Sequence, residues 1–202
     1  MDYDPRSEKH GLKHDPTTCL VVPRPIGWIT TLSPTGIVNL APYSFFNLVS
    51  SRPPFLIFSS SGRKHSQRNA ELSGEFVFNL ATWDLRTEMN ITGSDHGEHV
   101  SEADLAGLEM VPSKVVKPPR VKRSPITLEC YYNKTVEMVS RDGTQNKSSL
   151  VLGEVVRVHI EDSVIVDGMI DMARIRPLSR LGYMDFSAID SVFEMKRVPA
   201  QT

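Results

Sequence analysis

Three short apolar runs between Pro23 and Asn79 each end in small hydroxyl or amide residues: Thr30 and Thr31, then Asn39 to Ser44, then Ser59 to Ser61. Residues 26–32 are rich in β-branched and aromatic side chains, which suit a pleated strand, and Pro23 and Pro25 favour an extended entry. Ser33-Pro34-Thr35-Gly36 has turn chemistry, so residues 26–32 and 37–41 are expected to form a hairpin. Pro53-Pro54 breaks the chain before a further strand over residues 55–59. Directly after it come Gly62, Arg63, Lys64, His65 and Ser66, leading into a helical segment. Strands that end in hydrogen-bonding groups beside a cationic turn and a helix start make a cradle for an anion. Charge and helix N–H groups would hold a phosphate, and hydroxyls and backbone edges a flat polar ring. The same pattern also fits ordinary strand ends on a soluble protein, and composition alone favours that plainer reading.

The rest of the chain continues in the same style. Residues 66–73 read as a short helix with Gly74 placed to stop it in the left-handed conformation. A strand over 76–81 follows. Thr82 is then expected to cap a helix through Met89 to Thr92, with Leu85 and Met89 on one face and Gly93 as its stop. The pattern weakens from Ser94 to Arg123, where Pro118-Pro119 suggests an irregular crossover. Ile126, Leu128, Cys130 and Tyr132 alternate with Thr127, Glu129, Tyr131 and Asn133, the period of a half-buried strand. After a turn at Asp142-Gly143, residues Leu150, Leu152, Val156, Val158 and Ile160 fall on one side of a long strand, in which Gly153 marks a bulge or a close backbone approach. Many strands, frequent turns and few helices predict a mainly β protein: an antiparallel barrel with peripheral helices. Residues 1–17 read as a polar arm and residues 18–202 as a single domain, with no repeat or dividing linker.

Composition removes several function classes. A length of 202 residues with 40% hydrophobic content suits one domain with an adequate core. A formal charge of −1 argues against a general nucleic-acid binder. The two cysteines, Cys19 and Cys130, form no CxxC pair and fit a reducing compartment. Neither a signal peptide nor a membrane span is indicated, so a cytoplasmic protein is expected. There is no GxGxxG, no phosphate-loop signature and no GxSxG, so any nicotinamide cofactor is not held by a Rossmann fingerprint. Asp95, His96, Glu98, His99 and Glu102 tempt a metal reading. Their spacing is not HExxH and Gly97 interrupts the helix they would need, so an exposed polar loop without metal is expected. His159 shows no carboxylate partner in the sequence, which argues against a general base. Trp28, Tyr43, Phe45 and Phe46 are read first as core aromatics.

The segments PRPIGWITT, GIVNLAPYSFFNLVSSRPP, the GRK-H-S-xx-N turn with GEFVFNL after it, LGEVV at Leu152 to Val156 and RPLSRLGYMDF near the end occur in an informative order. Over residues 18–185 the chain resembles the FMN-binding flavin-reductase-like family, split-barrel flavoproteins that include flavoredoxin. The resemblance implies an antiparallel, Greek-key split β-barrel. It implies flavin contacts from Thr30, Thr31, Asn39, Ala41 and Ser44, partly through backbone groups, and a ribityl chain facing Ser59, Ser60 and Ser61. Arg63, Lys64 and Ser66 match the family's phosphate turn, and Asn69 the amide that follows it. Tyr183 matches an aromatic that closes near the flavin, often from the partner of a homodimer. One core aromatic could then flank the flavin ring, and His159 could lie at its edge.

Two positions depart from the family pattern. His65 stands where an acidic helix cap is common, leaving Ser66 as the cap candidate. Asn146, Lys147 and Ser148 stand where many NAD(P)H-dependent members carry Gly-Asp-His. That shifts weight toward a carrier passing electrons through bound FMN to or from a redox partner protein, with no side-chain acid or base assigned. The alternatives are an NAD(P)H:flavin oxidoreductase supplying a monooxygenase, and a non-enzymatic flavin-binding module.

Overall fold

The computed structural model describes residues 1–198; the last four positions of the expected 18–202 domain lie outside them. Arg24–Pro25 (β1), Gly27–Leu32 (β2), Val38–Tyr43 (β3), Phe46–Ser51 (β4) and Pro54–Ser61 (β5) lead into the helix His65–Ser73 (α1) and the strand Glu75–Leu80 (β6). A 3-10 turn then opens the helix Arg86–Ile91 (α2). The crossover carries a short helix, Glu102–Leu105 (α3), and two short strands that pair with each other, Met110–Val111 (β7) and Arg120–Val121 (β8). Two long strands follow, Ile126–Val139 (β9) and Gln145–Ile160 (β10). The chain ends with Ile165–Val166 (β11), Met169–Ile170 (β12), the helix Met172–Ile175 (α4), Leu178–Gly182 (β13) and Asp185–Ala188 (β14).

Local chemistry explains the first hairpin and α1. Thr31 lies opposite Asn39, and the turn between β2 and β3 closes with Gly36 in the left-handed region at φ 84°. Gly74 ends α1 at φ 75°, its N–H donating to the Ala70 carbonyl. The large sheet is antiparallel, in the order β3-β2-β6-β9-β10-β5-β4. It curls on itself. A Cβ on Gly27 of β2 would lie 2.2 Å from the Phe46 ring of β4, so strands near opposite ends of the order meet with room for no side chain. Phe46 also stacks on Phe78 at 4.9 Å across the interior. Ile29, Phe58, Phe76, Cys130 and Val151 complete this inner core. A second core lies outside the barrel, where Trp28, Leu40, Leu85, Met89, Leu108 and Leu178 pack beneath α2, α3 and the small β1-β13-β14 sheet.

The structure corrects several expectations. Thr82 makes no side-chain cap; it stands in a β-bridge with Pro177, and the chain enters α2 through the 3-10 turn. Gly93 is not in the left-handed region and does not stop α2. Thr92 does so, its hydroxyl donating to the Met89 carbonyl at 2.8 Å and accepting from the Trp28 indole at 2.8 Å. Thr127 and Glu129, expected on the wet side of β9, are buried because β8 and the crossover segment before it fold over them. In β10 the inward residues are Ser149, Val151, Gly153 and Val155. Bulges shift the register, so Leu150 and Leu152 face outward while Val158 and Ile160 pair with Leu128 and Ile126. Gly153 is both a bulge and a close approach: a Cβ there would lie 2.2 Å from the Phe76 ring.

Candidate functional site

The cationic turn, the end of β3 and the loop after α2 enclose a cleft of about 450 Å³. Asn39, Ala41 and Tyr43 supply one wall; Arg63, Lys64, His65, Ser66 and Arg68 supply another. Lys64 is the N-cap of α1 and no side chain caps the helix. The expectation that Ser66 caps it is corrected, since Ser66 sits inside the first turn and its Oγ accepts from Asn39 Nδ2 at 2.8 Å. The first-turn N–H groups therefore remain available beside the cleft, with the positive end of the helix behind them.

Beneath this wall lies a buried polar floor. Asn39 Nδ2 also donates to Thr31 Oγ1 at 3.2 Å, and Asn69 Nδ2 donates to the same oxygen at 3.3 Å. The Asn69 amide oxygen is buried and has no partner among the described residues. Tyr43 reaches the floor from the side. Burial pushes its phenol pKa up, against the lowering effect of the Ser66 and Ser60 hydroxyls, with Glu102 and Asp95 adding to the rise.

The cations of the turn are paired. Arg63 holds Glu71 at 2.7 Å, Lys64 holds Asp95 at 2.8 Å, and Arg68 holds Glu98. The hydrogen bond and charge of Lys64 keep the Asp95 carboxyl below its ordinary value, and Arg68 does the same for Glu98. The acidic loop is thus the counter-charge of the turn. Among the described residues no three His, Cys, Asp or Glu side chains form a metal-ligating group. Glu102, on α3, is buried and accepts the Leu40 N–H at 3.1 Å.

Of the residues expected at the site, Asn39, Ala41, Arg63, Lys64 and Ser66 line the cleft, and Thr31 and Asn69 support its floor. Thr30 does not join them: adjacent strand residues face opposite ways, and its hydroxyl accepts from Asn79 Nδ2 at 2.8 Å. Ser60 shapes the turn by donating to the Gly62 carbonyl at 2.7 Å. Ser59 and Ser61 pair with Leu150 and Ser148 on the outer side of the sheet. Ser44 lines an adjoining cleft, and Tyr183 packs edge-on against His14 of the arm, lining neither. Arg68 was missed, although it follows Lys64 by one helical turn and shares its face. Glu129 corrects the reading of His159: its Oε1 lies 2.6 Å from His159 Nε2, a carboxylate partner supplied by the neighbouring strand.

A family model described as the flavin reductase like domain matches residues 19–175. The chain belongs to the flavin reductase-like family. Its mainly β, antiparallel architecture is the split barrel expected from sequence. Nitrilotriacetate monooxygenase component B from Bacillus cereus is 29% identical with a TM-score of 0.87, covering 96% of this chain and 98% of that one. A 2-nitrobenzoate 2-nitroreductase from Pseudomonas fluorescens is 27% identical with a TM-score of 0.84, covering 98% and 96%. A flavoredoxin from Desulfovibrio vulgaris shares the fold at 19% identity, with a TM-score of 0.78 and 94% and 96% coverage. Family and neighbours point to flavin-related oxidoreduction. No helix among the described residues is long and apolar enough to cross a membrane.

Proposed function

We propose that this chain binds FMN in the 450 Å³ cleft and acts as an oxidoreductase that passes electrons through it. The observation that carries this reading is the meeting, in one cleft, of the uncapped start of α1 and its cations with the amide and hydroxyl floor around Asn39 of β3. Small-molecule pockets span about 300–1,000 Å³, so the cleft suits a mononucleotide. The first-turn N–H groups, Arg63 and Lys64 would hold the phosphate; Asn39, the Ala41 backbone and Tyr43 would meet the polar parts of the ribityl chain or ring. Thr31 and Asn69 keep the Asn39 amide oriented. Bound FMN would itself supply the electron transfer, while the protein positions and shields it. Exposed ion pairs are worth about 0–1 kcal/mol, so a phosphate displaces Asp95 and Glu98 at little cost.

A fluorescence-quenching titration tests the cofactor: FMN should bind about ten- to a hundredfold tighter than riboflavin. Equal affinities would sink the assignment. A second reading, an NAD(P)H:flavin oxidoreductase that supplies a partner monooxygenase, is favoured by the Bacillus cereus neighbour, a monooxygenase component at 29% identity. Rapid reduction of the FMN-loaded protein by NADH in a stopped-flow trace would select it. Reduction only by a redox partner protein would select the carrier.

The proposal includes a homodimer. Phe55, Ile57, Leu150, Leu152, Val136 and Tyr131 share the outer face of β5, β10 and β9, all half-buried or exposed, with Glu154 and Lys134 set among them. Apolar side chains mixed with a few charges are the composition of a protein–protein interface. Tyr183, which lines neither of the two clefts described above, would then reach a partner's cleft. Light scattering should give twice the 22.6 kDa chain mass, and a monomer that holds FMN tightly would refute the dimer.

A further inference from the structure

The small sheet places Arg24 of β1 directly opposite Arg180 of β13, and Phe186 of β14 directly opposite Arg180 on its other side. Directly opposed residues project from the same face, so two cations and an aromatic ring stand in a row. Like charges in that relation repel, and each normally calls for a counter-charge. Among the described residues neither arginine meets a carboxylate, unlike Arg63, Arg68, Arg123 and Arg176. Arg24 is buried and spent on the carbonyls of Thr18 and Val21, with its Nε lacking any acceptor. Arg180 lies over the Phe186 ring at 4.3 Å, and its Nη2 donates to the Tyr183 carbonyl and approaches the Met184 sulfur. Among the described residues no acceptor takes its Nε or Nη1.

Arg180 lines a second cleft of about 350 Å³. Its lining is mainly polar, with Ser44 and Asn90 among the contributors; the half-exposed Phe186 and the edges of the nearly buried Ile26 and Met89 supply the apolar part. It shares Pro42, Gly93 and Ser94 with the first cleft, so molecules in the two would border each other. We propose that the second cleft is a substrate site for a planar aromatic carboxylate. Its carboxylate meets the open edge of Arg180 and its ring lies among Ile26, Met89 and Phe186. A planar guanidinium fork matches a carboxylate. The volume lies near the lower end of the range for ligand pockets, about 300–1,000 Å³, which suits one substituted ring rather than a dinucleotide. Binding stands on this geometry alone; the role as electron acceptor beside the cofactor rests on the flavin reading above.

Calorimetric titration of the full chain, with FMN added, should show benzoate binding about ten- to a hundredfold tighter than its neutral isostere benzamide. Arg180→Gln should bring the two ligands to equal affinity and leave FMN binding unchanged. Should that variant fail to fold, Arg180→Lys, which keeps the charge and loses the fork, should cut the benzoate preference several-fold. Phe186→Leu should weaken both ligands alike. Equal affinities in the wild-type chain, a preference that survives in folded Arg180→Gln, or one that is undiminished in folded Arg180→Lys, would overturn the proposal. FMN titrations of the same samples separate the two ideas. Benzoate preference without FMN binding supports this site and sinks only the flavin reading; FMN binding without benzoate preference sinks only this site.

Discussion

Arg63→Ala should weaken FMN binding about ten- to a hundredfold and leave riboflavin binding nearly unchanged, because a charge-assisted contact is worth about 1.5–3 kcal/mol. Arg63 lines the cleft beside the start of α1, and its Nε is held by Glu71 at 2.7 Å. Glu71 is in turn held by Gln67 of α1 and by Thr135 of β9, so the arginine is anchored without being buried. An anchored guanidinium keeps donors free for a phosphate oxygen while losing little side-chain freedom on binding. Asn39→Ala should act differently and weaken both flavins, since Asn39 belongs to the floor below Ser66 and Thr31. Glu71→Gln serves as the control for an indirect effect through the Arg63–Glu71 pair. The decisive quantity is the FMN-to-riboflavin affinity ratio, with folding checked by circular dichroism. A ratio that is the same in wild type and Arg63→Ala would remove Arg63 from the phosphate site.

Glu129→Gln should destabilise the fold by about 3 kcal/mol near neutral pH and flatten its loss of stability in acid. Burial alone would raise the Glu129 pKa. The N–H groups of Lys114, Val116 and Val115 and the His159 ring outweigh it and hold the carboxyl at about 2, against an ordinary value of 4.5. The depressed value sets the sign. Stabilisation is fully present above the unfolded value and is lost as pH falls toward about 2, where the folded group takes up its proton. The size follows from roughly 1.4 kcal/mol per pKa unit. Urea denaturation between pH 7 and about 2.5 gives the test, with the wild type losing more stability than Glu129→Gln below pH 4.5. Parallel curves for the two proteins would show that Glu129 contributes nothing to acid unfolding. The expected structural consequence is local: the crossover segment at Lys114 to Val116 is held by this carboxylate.

Features governed by neighbours in the chain could be read without the structure. The β2–β3 hairpin follows from Ser33-Pro34-Thr35-Gly36, and the end of α1 from Gly74, because turn dihedrals belong to the residues that adopt them. The cationic turn and its helix start were visible for the same reason, and with them Asn39, Ala41, Arg63, Lys64 and Ser66 of the cleft. Tertiary structure decided the rest. Thr30 and Thr31 are adjacent hydroxyl residues, and only strand pairing determines which one supports the cleft. Bulges in β10 move Val158 and Ile160 away from the face of Leu150 and Leu152, which simple alternation does not anticipate. Glu129 meets His159, Asp95 meets Lys64 and Arg24 faces Arg180 only after distant segments have packed together. The sequence alone therefore determined strands, turns and a charged helix start, since their energies are local. Charge pairing and the second cleft arise between segments far apart in the chain, and their energies exist only once the barrel has closed.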